Sequence, residues 1–238
     1  MNSCDYENII RKYLTAGYKA AFFNEKPESH HQLILRHDVD FSCKLAHKMA
    51  LLESKIGVKS TYFFMMNNPI YNVFSRENKN YIREIKSLGH EVSIHFDMIH
   101  GELNREICIF QEFFDVEVNI VSIHRPIMDI LDELDIEHTY LPKYMEDIKY
   151  ISDSRGKFRY GHPLESQEFR DGKSMQLLTH PAWWVSEKED SIEIIESVIS
   201  DNNEMNKKYF LENSIPYREF LNRIDAHPPQ HLKKGSAV

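Results

Sequence analysis

The hydrophobic positions of this chain change period several times. Ile9, Ile10, Tyr13 and Leu14 recur at helical spacing and predict a helix over residues 5–17. A short apolar run predicts a strand over 32–37. Cys43, Ala46, Met49, Ala50 and Leu52 return to helical spacing over 42–55, with Ser42 placed as N-cap. STYFFM at 60–65 is aromatic with a β-branched residue, the composition of a strand. Tyr81, Ile85 and Leu88 mark a helix over 76–88, stopped by Gly89. Glu91–His95 reads as a strand, residues 102–114 as a helix carrying Leu103, Ile107, Phe110 and Phe114, and residues 118–123 as a strand. Three further strand candidates are 138–142, 149–152 and 175–179. The capping-box pattern Ser186-Glu187-Lys188-Glu189 opens a last helix to about residue 210, with Ile192, Ile195 and Ile199 on one face.

Strands alternating with helices of about 10–15 residues imply parallel strands joined by helical crossovers, an α/β fold. The 238 residues hold no repeat, low-complexity tract or Pro/Gly-rich linker, which predicts one domain over 1–238. Composition refines this little: 42% hydrophobic and 28% charged residues are ordinary for a globular chain. The net charge of -8 argues against a nucleic-acid partner. Three cysteines without a CxxC argue against a disulfide framework or a thiolate zinc site, and for a reducing compartment. The first residues lack an apolar signal-peptide core, and no window approaches ~18 apolar residues. A cytoplasmic protein without a membrane span is the expectation.

Candidate chemistry sits at the strand ends, where parallel α/β folds gather their ligands. The strand at 32–37 runs into Asp38 and Asp40, two apart and on one face. Two close carboxylates repel unless a cation intervenes. Other strand ends carry His95 (with Asp97 and His100 beyond it), His124 with Arg125, Asp153 with Arg155, and His180. One aspartate and two histidines with an open position suit Zn²⁺ or a similar divalent ion. The second aspartate is then available as general base, His180 as general acid, and Arg125 as the cation that holds the base. Such a set performs metal-assisted hydrolysis of an acyl or amide bond.

From about residue 32 to 184 these motifs, in order, resemble the polysaccharide deacetylase group (NodB homology, family 4 carbohydrate esterase). HDVD resembles its first motif, which implies Asp38 as base and Asp40 as metal ligand. STYFF resembles the following strand, and GHEVSIH the second motif with His95 as ligand. SIHRP resembles the third, placing Arg125 beside the base. SDSRGKF resembles the fourth, giving Asp153 and Arg155 as substrate-side residues. LLTHPAWW resembles the fifth, with His180 as acid. The adjacent Trp183 and Trp184 read equally as packing residues and as a platform for the apolar face of a sugar, Trp184 being taken as the substrate-side one. The resemblance implies a distorted (β/α) barrel of about seven parallel strands and one catalytic domain, flanked by helices at both ends. It implies a metal-dependent enzyme that removes an acetyl group from an N-acetylated sugar, such as a sugar nucleotide or surface-polysaccharide precursor. The ion expected is Zn²⁺, with Co²⁺, Ni²⁺ and Fe²⁺ in the same class. An amidase on a small non-sugar amide and a non-catalytic barrel that binds carbohydrate or a partner are the alternatives.

The sequence departs from the family at the second metal histidine, four residues after the first, where it has Ile99. His100 and His124 are the two replacements. A strand end is a more rigid platform than a loop entering a helix, which favours His124.

Overall fold

Residues Gln32–Val39 form strand β2, buried at every position. A strand covered on both faces is what a parallel sheet with helical crossovers requires. Along one edge of β2, β1 (Lys19–Ala21) pairs with its first half and β3 (Thr61–Phe64) with its second. The other edge pairs with β7 (Met175–Thr179). Beyond β3 lie β4 (Glu91–Asp97) and β5 (Val121–His124), and beyond β7 lies β6 (Lys149–Ser152). Every pairing is parallel, in the order β5-β4-β3-β2-β7-β6. These seven parallel strands form a distorted (β/α) half-barrel, and no β5–β6 pairing occurs among the described residues.

The computed structural model describes residues 1–25, 28–127, 148–154, 156–158 and 161–226. The outer face of the sheet is covered by four helices whose buried residues follow much of the sequence spacing, although Leu14, Leu52, Tyr81 and Leu88 are only half-buried and Ile82 is buried where Tyr81 was expected. Helix α1 (Ser3–Thr15) buries Tyr6, Ile9, Ile10 and Tyr13. Helix α2 (Cys43–Ile56) buries Cys43, Ala46, Met49, Ala50 and Glu53; Ser42 caps its start and Gly57, at φ +86, ends it. Helices α3 (Arg76–Ser87) and α4 (Leu103–Phe114) bury Ile82 and Ile85, and Leu103, Glu106, Ile107, Phe110 and Phe114. Alternation along β2 then divides its polar residues. Arg36 and Asp38 face the barrel interior, and His37 faces the helices, where it meets Glu53 of α2.

The structure differs from the sequence expectation at several ends. The strand expected at 118–123 is Val121–His124, so His124 closes it rather than following it. The candidate strand 138–142 lies outside the described residues. Short helices α5 (Gln167–Arg170) and α6 (Pro181–Val185) were not expected. Helix α7 (Ser191–Asn213) starts five residues after Ser186, the proposed cap: Asp190 Oδ1 accepts the N–H groups of Ile192 and Glu193 and is the effective cap. Its buried residue is Ile194, while Ile192, Ile195 and Ile199 are exposed.

The chain divides into two units, Met1–Ile194 and Ile195–Val238. The first contains the whole sheet and every residue discussed below. The second is helical, and its helix α8 (Ile215–Ala226) follows α7 after Ser214.

Candidate active site

Asp38, at the end of β2, is 3% exposed and meets a guanidinium two residues back on its own strand. Arg36 Nε lies 2.9 Å from Asp38 Oδ1, and Nη2 lies 2.7 Å from Oδ2. The hydroxyl of Ser122, on β5, donates to Oδ1 at 3.1 Å. Burial pushes the Asp38 carboxyl up. Arg36, with His95 and His180 near, outweighs it and holds the group well below the usual carboxylate range. The expectation gave this supporting place to Arg125. Arg125 is instead exposed at the rim, with no ion pair among the described residues. Arg36 was read only as part of an apolar strand. Its spacing of two from Asp38 on a strand was the available signal.

Asp40, just past β2, faces His95 of β4 and His124 of β5. His95 Nε2 is 3.4 Å from Asp40 Oδ1, His124 Nδ1 is 3.8 Å from it, and the two nitrogens are 3.1 Å apart. One donor atom from each of the three residues lies within 4.8 Å of the others. Asp40 Oδ1 is buried and has no hydrogen-bond partner among the described residues. The Ser122 hydroxyl also lies 2.8 Å from His95 Nδ1 and receives an Arg36 N–H. A hydroxyl has a single proton, and that of Ser122 goes to Asp38. Nδ1 of His95 is therefore the donor to Ser122 Oγ, which turns Nε2 toward Asp40 and His124. These two imidazole nitrogens and the buried carboxylate oxygen lie close enough together to hold one cation between them. The donor set N, N, O with an open position fits Zn²⁺ or a related divalent ion.

His100 stays outside this cluster. Its side chain is 71% exposed and its Nδ1 lies 3.0 Å from Asp97 Oδ2.

His180 follows β7 and opens α6. Its Nδ1 lies 2.6 Å from Asp153 Oδ1, and its backbone N–H also points to that carboxylate. Its Nε2 is 3.6 Å from Asp40 Oδ2. Burial opposes the imidazolium. The ion pair with Asp153, reinforced by Asp40 and Asp38, overcomes this and pushes His180 up to about 9.

Two substrate-side expectations change with this geometry. Asp153 is fully buried, so it orients His180 and does not face the cleft. Trp184 is 1% exposed, donates Nε1–H to Asp153 Oδ2 at 2.6 Å and packs on Tyr6. It supports the His180–Asp153 pair from behind. Its neighbour Trp183 is the one that lines the cleft, edge-to-face with Phe41. Arg155 lies outside the described residues.

The cleft over these groups has a volume of about 1290 Å³. Its walls combine Phe41, Met65, Ile70, Leu178 and Trp183 with Asn67, Asn68, Tyr150 and Arg125. A second cavity of about 580 Å³, at the opposite strand ends, shares none of these residues.

Behind the sheet lies a polar group that sequence reasoning missed, having taken His37 for a packing residue. His37 Nε2 is 2.9 Å from Glu53 Oε1, and its Nδ1 is 2.8 Å from Thr179 Oγ1. Glu53 also accepts the hydroxyls of Tyr6, Ser60 and Tyr62. Thr179 immediately precedes His180, so this network braces the strand end that carries His180.

No helix among the described residues is long and apolar enough to cross a membrane. No protein-family model and no curated protein matches the sequence. Solved structures do. A family 4 carbohydrate esterase pseudoenzyme from Bacillus anthracis matches with 15% identity and a TM-score of 0.40, over 73% of this chain and 60% of that one. A family 4 carbohydrate esterase from Bacillus anthracis matches with 13% identity and a TM-score of 0.43, over 83% and 86%. The peptidoglycan deacetylase PdaC from Bacillus subtilis matches with 13% identity and a TM-score of 0.43, over 79% and 96%. The chain thus spans under two thirds of the pseudoenzyme's length, and it is similar to solved family 4 carbohydrate esterases.

Proposed function

We propose that the chain is a metal-dependent deacetylase acting on an N-acetylated sugar. One observation carries this reading: the orphaned Asp40 Oδ1, set between two imidazoles, lies between a carboxylate held charged by Arg36 and an imidazolium held by Asp153. Asp40, His95 and His124 would hold the ion. A divalent ion there supplies a Lewis acid for the acetyl carbonyl and makes water acidic enough to lose a proton near neutral pH.

The chain's own groups perform the proton transfers. Asp38 is ionised and takes a proton from the attacking water. Arg36 and Ser122 fix its two oxygens, so the carboxylate does not rotate away. His180 is protonated at neutral pH and delivers its Nε2 proton to the amide nitrogen as the C–N bond breaks. Acetate and a free amine leave. Asp153 holds Nδ1–H, which directs the transferable proton to Nε2. Phe41 and Trp183 give ring faces on which a pyranose can lie.

The test is Asp38→Asn, assayed for acetate release from a panel of N-acetylated sugars and simple amides. Turnover falls at least about 10²-fold while zinc content stays at the wild-type level. Retained turnover removes Asp38 as base, and acetate released from simple amides alone removes the sugar.

A further inference from the structure

We propose that Arg125 forms an anion subsite in the cleft, so that the molecule bound there carries a phosphoryl or carboxylate group. The inference deepens the proposed function and rests on it only for the identity of the reacting bond.

The first observation is charge accounting. In the barrel, Arg36 pairs with Asp38, His100 pairs with Asp97, and Asp40 faces three imidazoles. Arg125 also lines the cleft, yet it has no ion pair among the described residues. The place an arginine of the third motif is expected to fill, beside the base, is already taken by Arg36.

The second observation is backbone geometry. Ser122 and His124 point into the barrel from β5, as their contacts with Asp38 and Asp40 show. Continued as a strand, the next side chain would point to the opposite face, among the helices. Arg125 instead has φ +49, a left-handed conformation uncommon outside glycine. At this turn Arg125 lines the cleft beside His124, together with Ile123 and Pro126. Non-glycine residues in this conformation concentrate at functional sites.

The third is chemistry. A guanidinium presents a planar fork of N–H donors matched to carboxylate and phosphate oxygens. Here it stands at the mouth of a cleft whose nearby walls include Ile123 and Pro126, so the charge is set against apolar surface. A volume of about 1290 Å³ exceeds that of a typical small-ligand site, leaving room for an acidic group beyond one sugar ring.

The test uses ligands without an acetyl group, so that it reads binding whether or not the protein is a deacetylase. Glucose 6-phosphate, glucuronate and glucose are titrated calorimetrically into the full chain, once zinc-loaded and once after chelation. The expected result is that one or both acidic ligands bind at least tenfold more tightly than glucose. Arg125→Gln abolishes that preference, Arg125→Lys keeps part of it, and His100→Ala leaves it intact. Preference for the phosphate assigns a phosphoryl group, and preference for the uronate assigns a carboxylate. The proposal is overturned if the three ligands bind alike, or if the preference survives Arg125→Gln in a variant with unchanged melting temperature. Acetate release, measured separately, decides the deacetylase reading without touching this result.

Discussion

Arg36 and Asp38, two apart on β2, form a buried two-pronged ion pair at 2.9 and 2.7 Å. This pair is built into a single strand, so Asp38 and its counter-charge keep their spacing whatever neighbouring loops do. Arg36→Gln leaves the Asp38 carboxylate buried without that partner, a change that costs about 3–5 kcal/mol. The pH signature follows from sign. Asp38 is more acidic in the fold, so the pair contributes stability above its ordinary value of 3.8, lost as pH falls below it. Urea unfolding of the variant should show a large deficit at neutral pH that narrows in acid. A deficit that does not depend on pH means Arg36 acts through packing alone. In the pH–rate profile the acid limb moves upward.

Asp153→Asn tests the acid. His180 sits near 9 in the fold against 6.5 ordinarily, and Asp153 is the main cause opposing burial. A raised histidine contributes stability fully present below 6.5, lost as pH rises through about 9. Replacing Asp153 narrows that window. The alkaline limb of kcat/KM should fall by at least one pH unit and kcat by about 10²-fold. An unmoved alkaline limb assigns it to another group. The titration of the His180 ring by NMR provides the independent reading.

Metal binding discriminates among the histidines. Chelation should lower the melting temperature and added zinc should restore it, by about 2.7 kcal/mol when the ion is at a hundred times its dissociation constant. His124→Ala should lose zinc stoichiometry, and His100→Ala should not. Ser122→Ala keeps all three donors but removes the hydroxyl that sets the His95 tautomer. Loss of such a supporting contact costs about 10–100-fold in metal affinity. Equal affinity in Ser122→Ala shows that the tautomer is fixed elsewhere.

Much of the fold was legible because period and order are local properties. The stripes of Ala46, Met49 and Ala50 and of Ile107, Phe110 and Phe114 announce helices, and the alternation announces a parallel barrel. Strand ends then identify a rim, and the structure draws Asp38, Asp40, His95, His124 and His180 to it. What was not legible depends on register and turn geometry. Ser122 meets Asp38 across 84 positions, a pairing fixed by how β5 aligns with β4. Arg125 was expected beside the base because spacing does not reveal a left-handed residue. Trp183 and Trp184 look equivalent as neighbours, but one lines the cleft and the other is buried against Asp153. Glu53 falls within a helical apolar stripe, and nothing local says that its partner is a histidine on β2.

Glu53 is the last of these to be tested. Its carboxylate is fully buried and accepts the hydroxyls of Tyr6, Ser60 and Tyr62 beside the His37 contact. Burial raises it, but His37 and His90 with the Ser60 hydroxyl lower it to about 2 against 4.5 ordinarily. It therefore contributes stability present above about 4.5, lost as pH falls toward 2. Glu53→Gln keeps the volume and removes the charge, leaving His37 and three hydroxyls with a weaker acceptor. The expected loss is about 3 kcal/mol at neutral pH, with a flatter acid dependence than wild type. The same variant separates bracing from chemistry. His37 reaches Thr179, one residue before His180, and Tyr6 packs on Trp184 behind Asp153. Loosening that layer should lower kcat several-fold while zinc content and KM hold. Loss of zinc instead would place the network under the metal ligands rather than under the acid.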